Sequence, residues 1–129
     1  MKRFIISLFF ILISAISFSQ NILWYRATAF SYKETNKEWS DWKNSSVEIT
    51  FDINNKEIII YTPKTYKYTI LKEVPADYEF DTNQTKYYVV DNMNRYGYIR
   101  FRIMKNDKTQ IYIDYPDTTI TYNIIRLYL

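Results

Sequence analysis

The feature that most constrains the fold is a two-residue alternation of apolar and polar side chains. It is clearest in Val47–Ile53, which reads VEITFDI and is apolar at every odd position and polar at every even one. Successive side chains of a β-strand point to opposite faces, so this segment is expected to have one dry and one wet face. Helical periodicity is hard to find beyond the N-terminal apolar run. The pattern therefore predicts an all-β protein.

The same segment predicts a hairpin with its neighbour. Asn54 and Asn55 separate it from Glu57–Tyr61, which reads EIIIY. Asparagine tolerates the positive φ angles that two-residue hairpin turns require. A tight turn on these two residues places Phe51 opposite Ile58, so that the apolar sides of both strands share one face.

Comparable runs recur along the chain with turn signals between them. They are Ile22–Phe30, Val47–Ile53, Glu57–Tyr61, Tyr66–Ile70, Lys86–Asp91, Tyr98–Met104, Gln110–Tyr115 and Thr119–Leu129. About eight short strands in succession are typical of an antiparallel meander, and eight are enough to close a small barrel. The expected fold is a single meander forming a lipocalin-like barrel. The alternative is a two-sheet β-sandwich.

The N-terminus predicts export. Lys2 and Arg3 precede an uncharged run from Phe4 to Ile16, and small residues follow it. This order is typical of a secretory signal peptide, whereas the apolar run is shorter than the roughly 20 residues of a membrane span. We expect residues 1–19 to be a signal peptide and residues 20–129 to be one all-β domain without a membrane span. The protein is then periplasmic or secreted.

Composition excludes several classes of function. Cysteine and histidine are both absent, so Ser-His-Asp and Cys-His catalysis and the common zinc sites cannot form. Gly97 is the single glycine, which rules out a glycine-rich phosphate loop. The formal charge of +3 falls to nearly neutral once Lys2 and Arg3 are removed, so no nucleic-acid partner is expected. No cofactor or metal site is predicted.

An acidic segment carries a carboxylate at every second position. Asp77, Glu79 and Asp81 alternate with other residues in the stretch ADYEFDT. A calcium loop is excluded because Thr82 stands at the glycine position and Tyr88 at the glutamate position. Two of the acids could serve as the acid and base of a glycosidase. The other interpretation is a solvated loop or a charged edge strand, and no catalytic residue is assigned.

Two tryptophans stand out in a polar connection. Trp39 and Trp42 are three residues apart, a spacing that suits a single helical turn with both rings on one side. Such a turn would close one end of the barrel and bury its aromatic area. Alternatively, the rings line a mouth and hold a planar or sugar-like guest.

Polar side chains on two late strands predict a further cluster. A five-residue connection from Lys105 to Thr109 would set Arg100 opposite Asp114. These residues would then form a cross-strand ion pair on the wet face. In the other interpretation, Arg100 and Arg102 bind an anionic ligand.

The sequence also carries a resemblance. Its features are Trp39-x-x-Trp42, Phe51-Asp52, Ile58-x-Ile60-Tyr61, Ile111–Tyr115 and Tyr122-Asn123. In these features the chain resembles uncharacterised small secreted β-proteins of Gram-negative bacteria, a W-x-x-W motif followed by a β meander. The resemblance implies one secreted β domain, and no catalytic residue or known function comes with it.

We therefore expect an exported, non-catalytic β-barrel protein that binds a small molecule, a glycan or a protein. Its predicted site joins Trp39, Trp42, Asp77, Glu79 and Asp81 at one end of the barrel, because binding residues concentrate on loops held by a rigid frame. One alternative is a protein-interaction module, such as an inhibitor of a secreted enzyme or an envelope-assembly subunit. The other is a carboxylate-dependent glycan hydrolase.

Overall fold

The computed structural model describes residues 21–76, 82–104, 106 and 108–128. The predicted signal peptide, residues 1–19, lies outside the described residues. So do Asp77, Glu79 and Asp81 of the predicted site. Within the described part of the chain, no helix is long and apolar enough to cross a membrane.

The described residues form nine β-strands. Their bounds are β1 Ile22–Glu34, β2 Lys43–Asn44, β3 Glu48–Asp52, β4 Glu57–Tyr61, β5 Thr65–Val74, β6 Thr82–Asp91, β7 Tyr96–Met104, β8 Thr109–Asp114 and β9 Thr118–Leu127. All neighbouring pairs are antiparallel. Each run predicted from two-residue alternation overlaps one of these strands, although Val47, Ile53, Tyr115 and Tyr128 lie just outside the strand bounds.

The sheet closes on itself. Strands β3 to β9 pair in chain order, and β1 pairs with β3 on one side and with β9 on the other. The short β2 pairs only with Ala29 and Phe30 of β1 and is additional to the closed ring. The structure is thus an eight-stranded barrel with one extra strand. This confirms the predicted meander barrel and excludes the two-sheet sandwich.

The register of the first hairpin is the predicted one, although its turn is not. Phe51 pairs with Ile58. The strands, however, end earlier than a two-residue turn requires, and the connection runs over residues 53–56. The Asp52 carboxylate accepts hydrogen bonds from the Asn55 backbone N–H at 3.1 Å and its side-chain amide at 2.8 Å. Lys56, with φ of 54°, takes the left-handed conformation expected of an asparagine.

Strands β7 and β8 pair two residues away from the predicted register. Arg100 pairs with Tyr112, and Asp114 pairs with Tyr98. The connection is displaced towards the N-terminus, and the Met104 N–H donates to the Lys108 carbonyl at 2.8 Å. The predicted ion pair forms diagonally all the same, with Arg100 Nη2 at 2.9 Å from Asp114 Oδ1, because long side chains reach the diagonal neighbour on a sheet.

The middle of the barrel is solid. Six isoleucines fill it with 2% or less of their surface exposed: Ile49, Ile58, Ile60, Ile99, Ile111 and Ile113. They come from four different strands, β3, β4, β7 and β8, at alternate positions, as the apolar pattern predicts. Each buried side chain stabilises the fold by about 1.5–3 kcal/mol before entropy is counted. With cysteine absent, this core holds the strands together.

The two ends of the barrel differ. At one end, here called the plugged end, the rings of Tyr25, Phe51, Tyr87 and Phe101 pack on one another with centroid distances from 5.6 to 6.4 Å. The turns of residues 62–64, 92–95 and 115–117 lie together at the other end, called the mouth end. About 180 Å³ of space lies among the rings of this plug, and about 470 Å³ lies beside Phe51 and Tyr87, next to Ile70. The candidate site is at the mouth end, where hydrogen-bonded polar side chains meet a cavity.

Candidate functional site

A cavity of about 500 Å³ opens at the mouth end. Ile60, Ile113 and Ile120 form its apolar wall, and Ile113 and Ile120 are direct cross-strand partners. Tyr66, Tyr68 and Tyr122 add aromatic rings to the lining. The inward-facing positions that carry isoleucine in mid-barrel thus carry tyrosine nearer the mouth. This gives a pocket with an apolar floor and a rim of hydroxyl groups.

A carboxylate at the end of β6 organises the polar side of this cavity. The Asp91 side chain is completely buried. Its Oδ1 accepts hydrogen bonds from the backbone N–H groups of Met93 and Arg95, at 2.8 and 2.9 Å. Its Oδ2 accepts from Arg95 Nε at 2.9 Å and from the Tyr115 hydroxyl at 2.7 Å. Asp91 therefore fixes both the β6–β7 turn and two side chains of the mouth.

The hydrogen bonds continue to a second tyrosine. The oxygens of Tyr115 and Tyr68 are 2.9 Å apart. Because Tyr115 donates its single hydrogen to Asp91, the Tyr68 hydroxyl is the donor to Tyr115. A chain of three polar groups thus crosses the mouth from β5 through the β8–β9 turn to β6.

The protonation of these groups is set by burial and by hydrogen bonding. Burial raises the pKa of the Asp91 carboxyl, but the donors from the Arg95 backbone, Tyr115, the Met93 backbone and the Arg95 side chain outweigh it, so the net pKa is lowered. Burial raises the pKa of Tyr68 to about 12. Burial also raises the pKa of Tyr115, and the Asp91 carboxylate that accepts its hydrogen raises it further. At neutral pH, Asp91 is ionised and both tyrosines are hydrogen-bond donors.

Gly97 permits this arrangement. Tyr115 leaves the end of β8 and crosses towards Asp91, passing close to Gly97 on the neighbouring strand. A Cβ atom at Gly97 would lie 2.4 Å from the Asp114 carbonyl oxygen and 3.5 Å from Tyr115 Cδ1. No side chain fits in this space, so the single glycine of the chain is needed for close packing at the mouth.

Arg95 is the positively charged group of the cavity lining. Its guanidinium lies over the ring of Tyr115, 4.6 Å from the centroid, and faces Tyr66 at 5.9 Å. Nη2 is 3.5 Å from the Tyr115 oxygen. Although Asp91 behind it is sealed from solvent, 47% of the Arg95 side chain stays exposed.

The predicted tryptophans lie elsewhere. Trp39 packs edge-on against Tyr112, on the outer wall, with 6.3 Å between ring centroids. Trp39 and Trp42 are 44% and 49% exposed, and neither lines the mouth cavity. The predicted helical turn is not formed, since residues 38–42 have no regular structure. Ser40 instead ties the segment to β1, accepting a hydrogen bond from Ser31 Oγ at 2.7 Å.

The acidic part of the predicted site lies outside the described residues, and only its flanking strands can be placed. β5 ends at Val74 and β6 begins at Thr82, both at the plugged end. Within the described part of the chain, no group of acidic side chains could hold a metal ion.

The second predicted polar group lies on the outer wall. Arg100 stacks on the ring of Tyr112 at 4.4 Å from its centroid while it pairs with Asp114. Tyr98 contacts Tyr88 at 5.3 Å between centroids, and Lys86 lies over Tyr98 at 4.6 Å. The outward tyrosines thus form a packed surface with cations above the rings.

Sequence reasoning did not identify the mouth cluster. A signal was present in DNMNR, in which an acid ends a strand and an arginine follows four residues later within one turn. Alternation also places Tyr66 and Tyr68 on one face. What the sequence does not indicate is the inward path of Tyr115, which joins these two groups.

Comparisons with protein-family models, with curated proteins and with solved structures found no match to this chain. The resemblance noted from the sequence stays a prediction, and the function has to be inferred from the geometry of the site.

Proposed function

We propose that the protein is a non-catalytic binding protein that holds one small, largely apolar molecule in the mouth cavity. The observation that carries this proposal is the cavity of about 500 Å³ above an otherwise solid core. Its volume lies within the roughly 300–1,000 Å³ of small-molecule sites. Eight-stranded barrels have space for one such ligand when an end is left open.

The lining is suited to binding. Isoleucine side chains and tyrosine rings offer apolar contact on several sides, and the hydroxyls and Arg95 offer a few fixed hydrogen-bonding groups. This combination of an apolar wall with a small number of oriented polar groups is typical of ligand pockets.

The polar groups of the mouth suit ligand binding better than catalysis. The Asp91 carboxylate is buried behind its four hydrogen-bond donors and has no exposed surface from which to accept a substrate proton. Tyr68, with its pKa raised to about 12, stays protonated near neutral pH. A general base would need a pKa near the working pH. These features favour binding over hydrolysis.

Export from the cytoplasm is part of the proposal. It is supported by the basic start and the uncharged run of the N-terminal segment. Mass spectrometry of the protein expressed from its full sequence in a Gram-negative host should find a product that starts at Gln20 in the periplasm or medium. Recovery of the uncleaved chain in the cytoplasm would contradict export.

The binding proposal is tested with N-phenyl-1-naphthylamine, an uncharged apolar dye that fluoresces when it leaves water. The protein is residues 20–129, which contain all nine strands. Ile120→Phe places a larger side chain in the cavity wall. Ile125→Phe makes the same change on the same strand at a side chain that is 49% exposed and serves as the matched control.

We expect the wild type and Ile125→Phe to bind the dye with equal affinity and Ile120→Phe to bind at least tenfold more weakly. Thermal unfolding of each variant shows that it is folded at the assay temperature. If both variants bind as the wild type does, the dye site is not the mouth cavity. Absence of dye binding to the wild type would also contradict the proposal.

A further inference from the structure

We propose that the ligand of the mouth cavity is an anionic amphiphile, a molecule whose apolar part lies against the isoleucine wall and whose oxyanion head group is bound by Arg95. This inference rests on the proposed function and names the class of ligand. Four features of the mouth support it.

The first feature is the unequal solvent exposure of the two charged side chains. The Asp91–Arg95 pair is asymmetric, because the carboxylate side chain is 0% exposed while the arginine side chain is 47% exposed. A molecule entering the cavity therefore meets the cation and not the anion. A buried carboxylate behind an exposed arginine also holds the charge in place during ligand entry.

The second feature is the rigidity of the guanidinium. Its Nε donates to Asp91, and the Arg95 backbone N–H donates to the same carboxylate. The turn that carries it is closed by a bond from the Asn94 N–H to the Asp91 carbonyl at 3.0 Å. A side chain that is already immobilised loses less entropy on binding.

The third feature is the shape of the donor set. Guanidinium carries five N–H donors in a plane. Asp91 accepts from the one on Nε, and the Tyr115 oxygen accepts a long bond of 3.5 Å from one on Nη2, so other Nη hydrogens remain for a ligand. The opposite edge carries the Nη groups, which match the two oxygens of a carboxylate or sulfonate. The ring of Tyr115 lies against the guanidinium at 4.6 Å and that of Tyr66 faces it at 5.9 Å, so aromatic rings orient its plane.

The fourth feature is the charge balance of the rim. Asp117 also lines the cavity and opposes an anion, but it is exposed on the β8–β9 turn, where salt and water screen it. Lys64 Nζ lies 6.0 Å from the centroid of the Tyr66 ring and adds positive charge to the rim. Tyr68 and Tyr115, being protonated, carry no charge. Of these charged groups, Arg95 is the one that hydrogen bonds to Asp91 hold in place next to the apolar wall.

The test uses two dyes with the same aromatic frame. 8-Anilinonaphthalene-1-sulfonate carries a sulfonate that N-phenyl-1-naphthylamine lacks. Both are titrated into the wild type, into Arg95→Gln, and into the control Arg126→Gln, whose guanidinium lies over Tyr25 near the plugged end at 5.6 Å.

In Arg95→Gln, we expect the affinity for the sulfonate dye to fall at least tenfold and the affinity for the neutral dye to change less than threefold. Arg126→Gln should change neither. If Arg95→Gln weakens both dyes alike, the arginine only supports the cavity, and the head-group inference is wrong while the proposed function stands. If neither dye binds the wild type, both proposals fail.

A measurement on the wild type alone decides the question should Arg95→Gln not fold. Raising sodium chloride from 50 to 500 mM should weaken binding of the sulfonate dye at least threefold and leave the neutral dye unaffected, because salt screens a charge at the mouth. Equal salt dependence for both dyes would overturn the inference.

Discussion

Replacing Asp91 by alanine should be strongly destabilising. The carboxylate accepts four hydrogen bonds, from Met93 N, Arg95 N, Arg95 Nε and the Tyr115 hydroxyl, at 2.7–2.9 Å. Hydrogen bonds to a charged group each contribute about 1.5–3 kcal/mol. The loss is smaller than their sum because water can reach the turn and Tyr115 keeps Tyr68 as a partner. We expect the free energy of unfolding to fall by about 3 kcal/mol.

Equilibrium urea unfolding of residues 20–129, followed by far-UV circular dichroism, measures this free energy. For a domain of about 100 residues, the loss corresponds to a melting temperature lowered by about 10–20 °C. Asp91→Asn keeps an acceptor for the two backbone donors but loses the charge, so about half of the effect should remain.

Glu57→Ala is the matched control. Glu57 also pairs with a cation, Lys67, at 3.2 Å, but the two side chains are 25% and 50% exposed. Its removal should cost no more than about 0.5 kcal/mol. If Asp91→Ala destabilises no more than Glu57→Ala, the carboxylate does not organise the mouth, and the account of the site is refuted.

Three further outcomes are expected. The folded state holds the Asp91 pKa below its ordinary 3.8, so the ionised carboxyl stabilises the fold above that value and this contribution is lost as the pH falls through the lower pKa. The difference in unfolding free energy between wild type and Asp91→Asn should therefore be constant from about pH 7 to about pH 4 and shrink at lower pH. Gly97→Ala brings a Cβ to 2.4 Å from a backbone oxygen and should destabilise by about 1–3 kcal/mol in urea unfolding. Acrylamide should quench the half-exposed Trp39 and Trp42 efficiently, and either tryptophan-to-phenylalanine change should alter the unfolding free energy by less than about 1 kcal/mol. A blue-shifted, unquenched emission would contradict this placement.

Local alternation was enough to predict strands β1 and β3 to β9, and their number favoured a closed barrel over the alternative of a two-sheet sandwich. Ile49 is buried and Phe51 packs against the core. A slip of one residue would turn both side chains outward, so the pairing of Phe51 with Ile58 is strongly determined. The exact turn mattered little for that register. A four-residue connection with Lys56 at positive φ replaces the expected pair of asparagines without changing a single cross-strand partner.

The register of β7 and β8 was harder to predict, because burial opposes only those shifts that turn apolar side chains to solvent. Arg100 and Asp114 both lie on the wet face, so a shift of two residues leaves every side chain on its own face and the apolar pattern does not oppose it. Arg100 therefore pairs with Tyr112 and reaches Asp114 diagonally. The tryptophans were misplaced because an irregular connection has no period from which its path could be predicted.

The mouth shows why this site could not be predicted from the strand pattern. Alternation indicates which residues face inward, but not where the chain leaves the barrel wall and turns across its end. That step depends on Gly97, whose missing side chain lets the Asp114 backbone carbonyl lie close to β7 just before Tyr115. It also depends on Asp91, which accepts the hydrogen bond from the Tyr115 hydroxyl. The same carboxylate then orients Arg95. If the proposed ligand site is correct, stability and ligand recognition are coupled at one buried acid. A mutation at Asp91 then tests the fold, whereas a mutation at Arg95, measured with the two matched dyes, tests the proposed function.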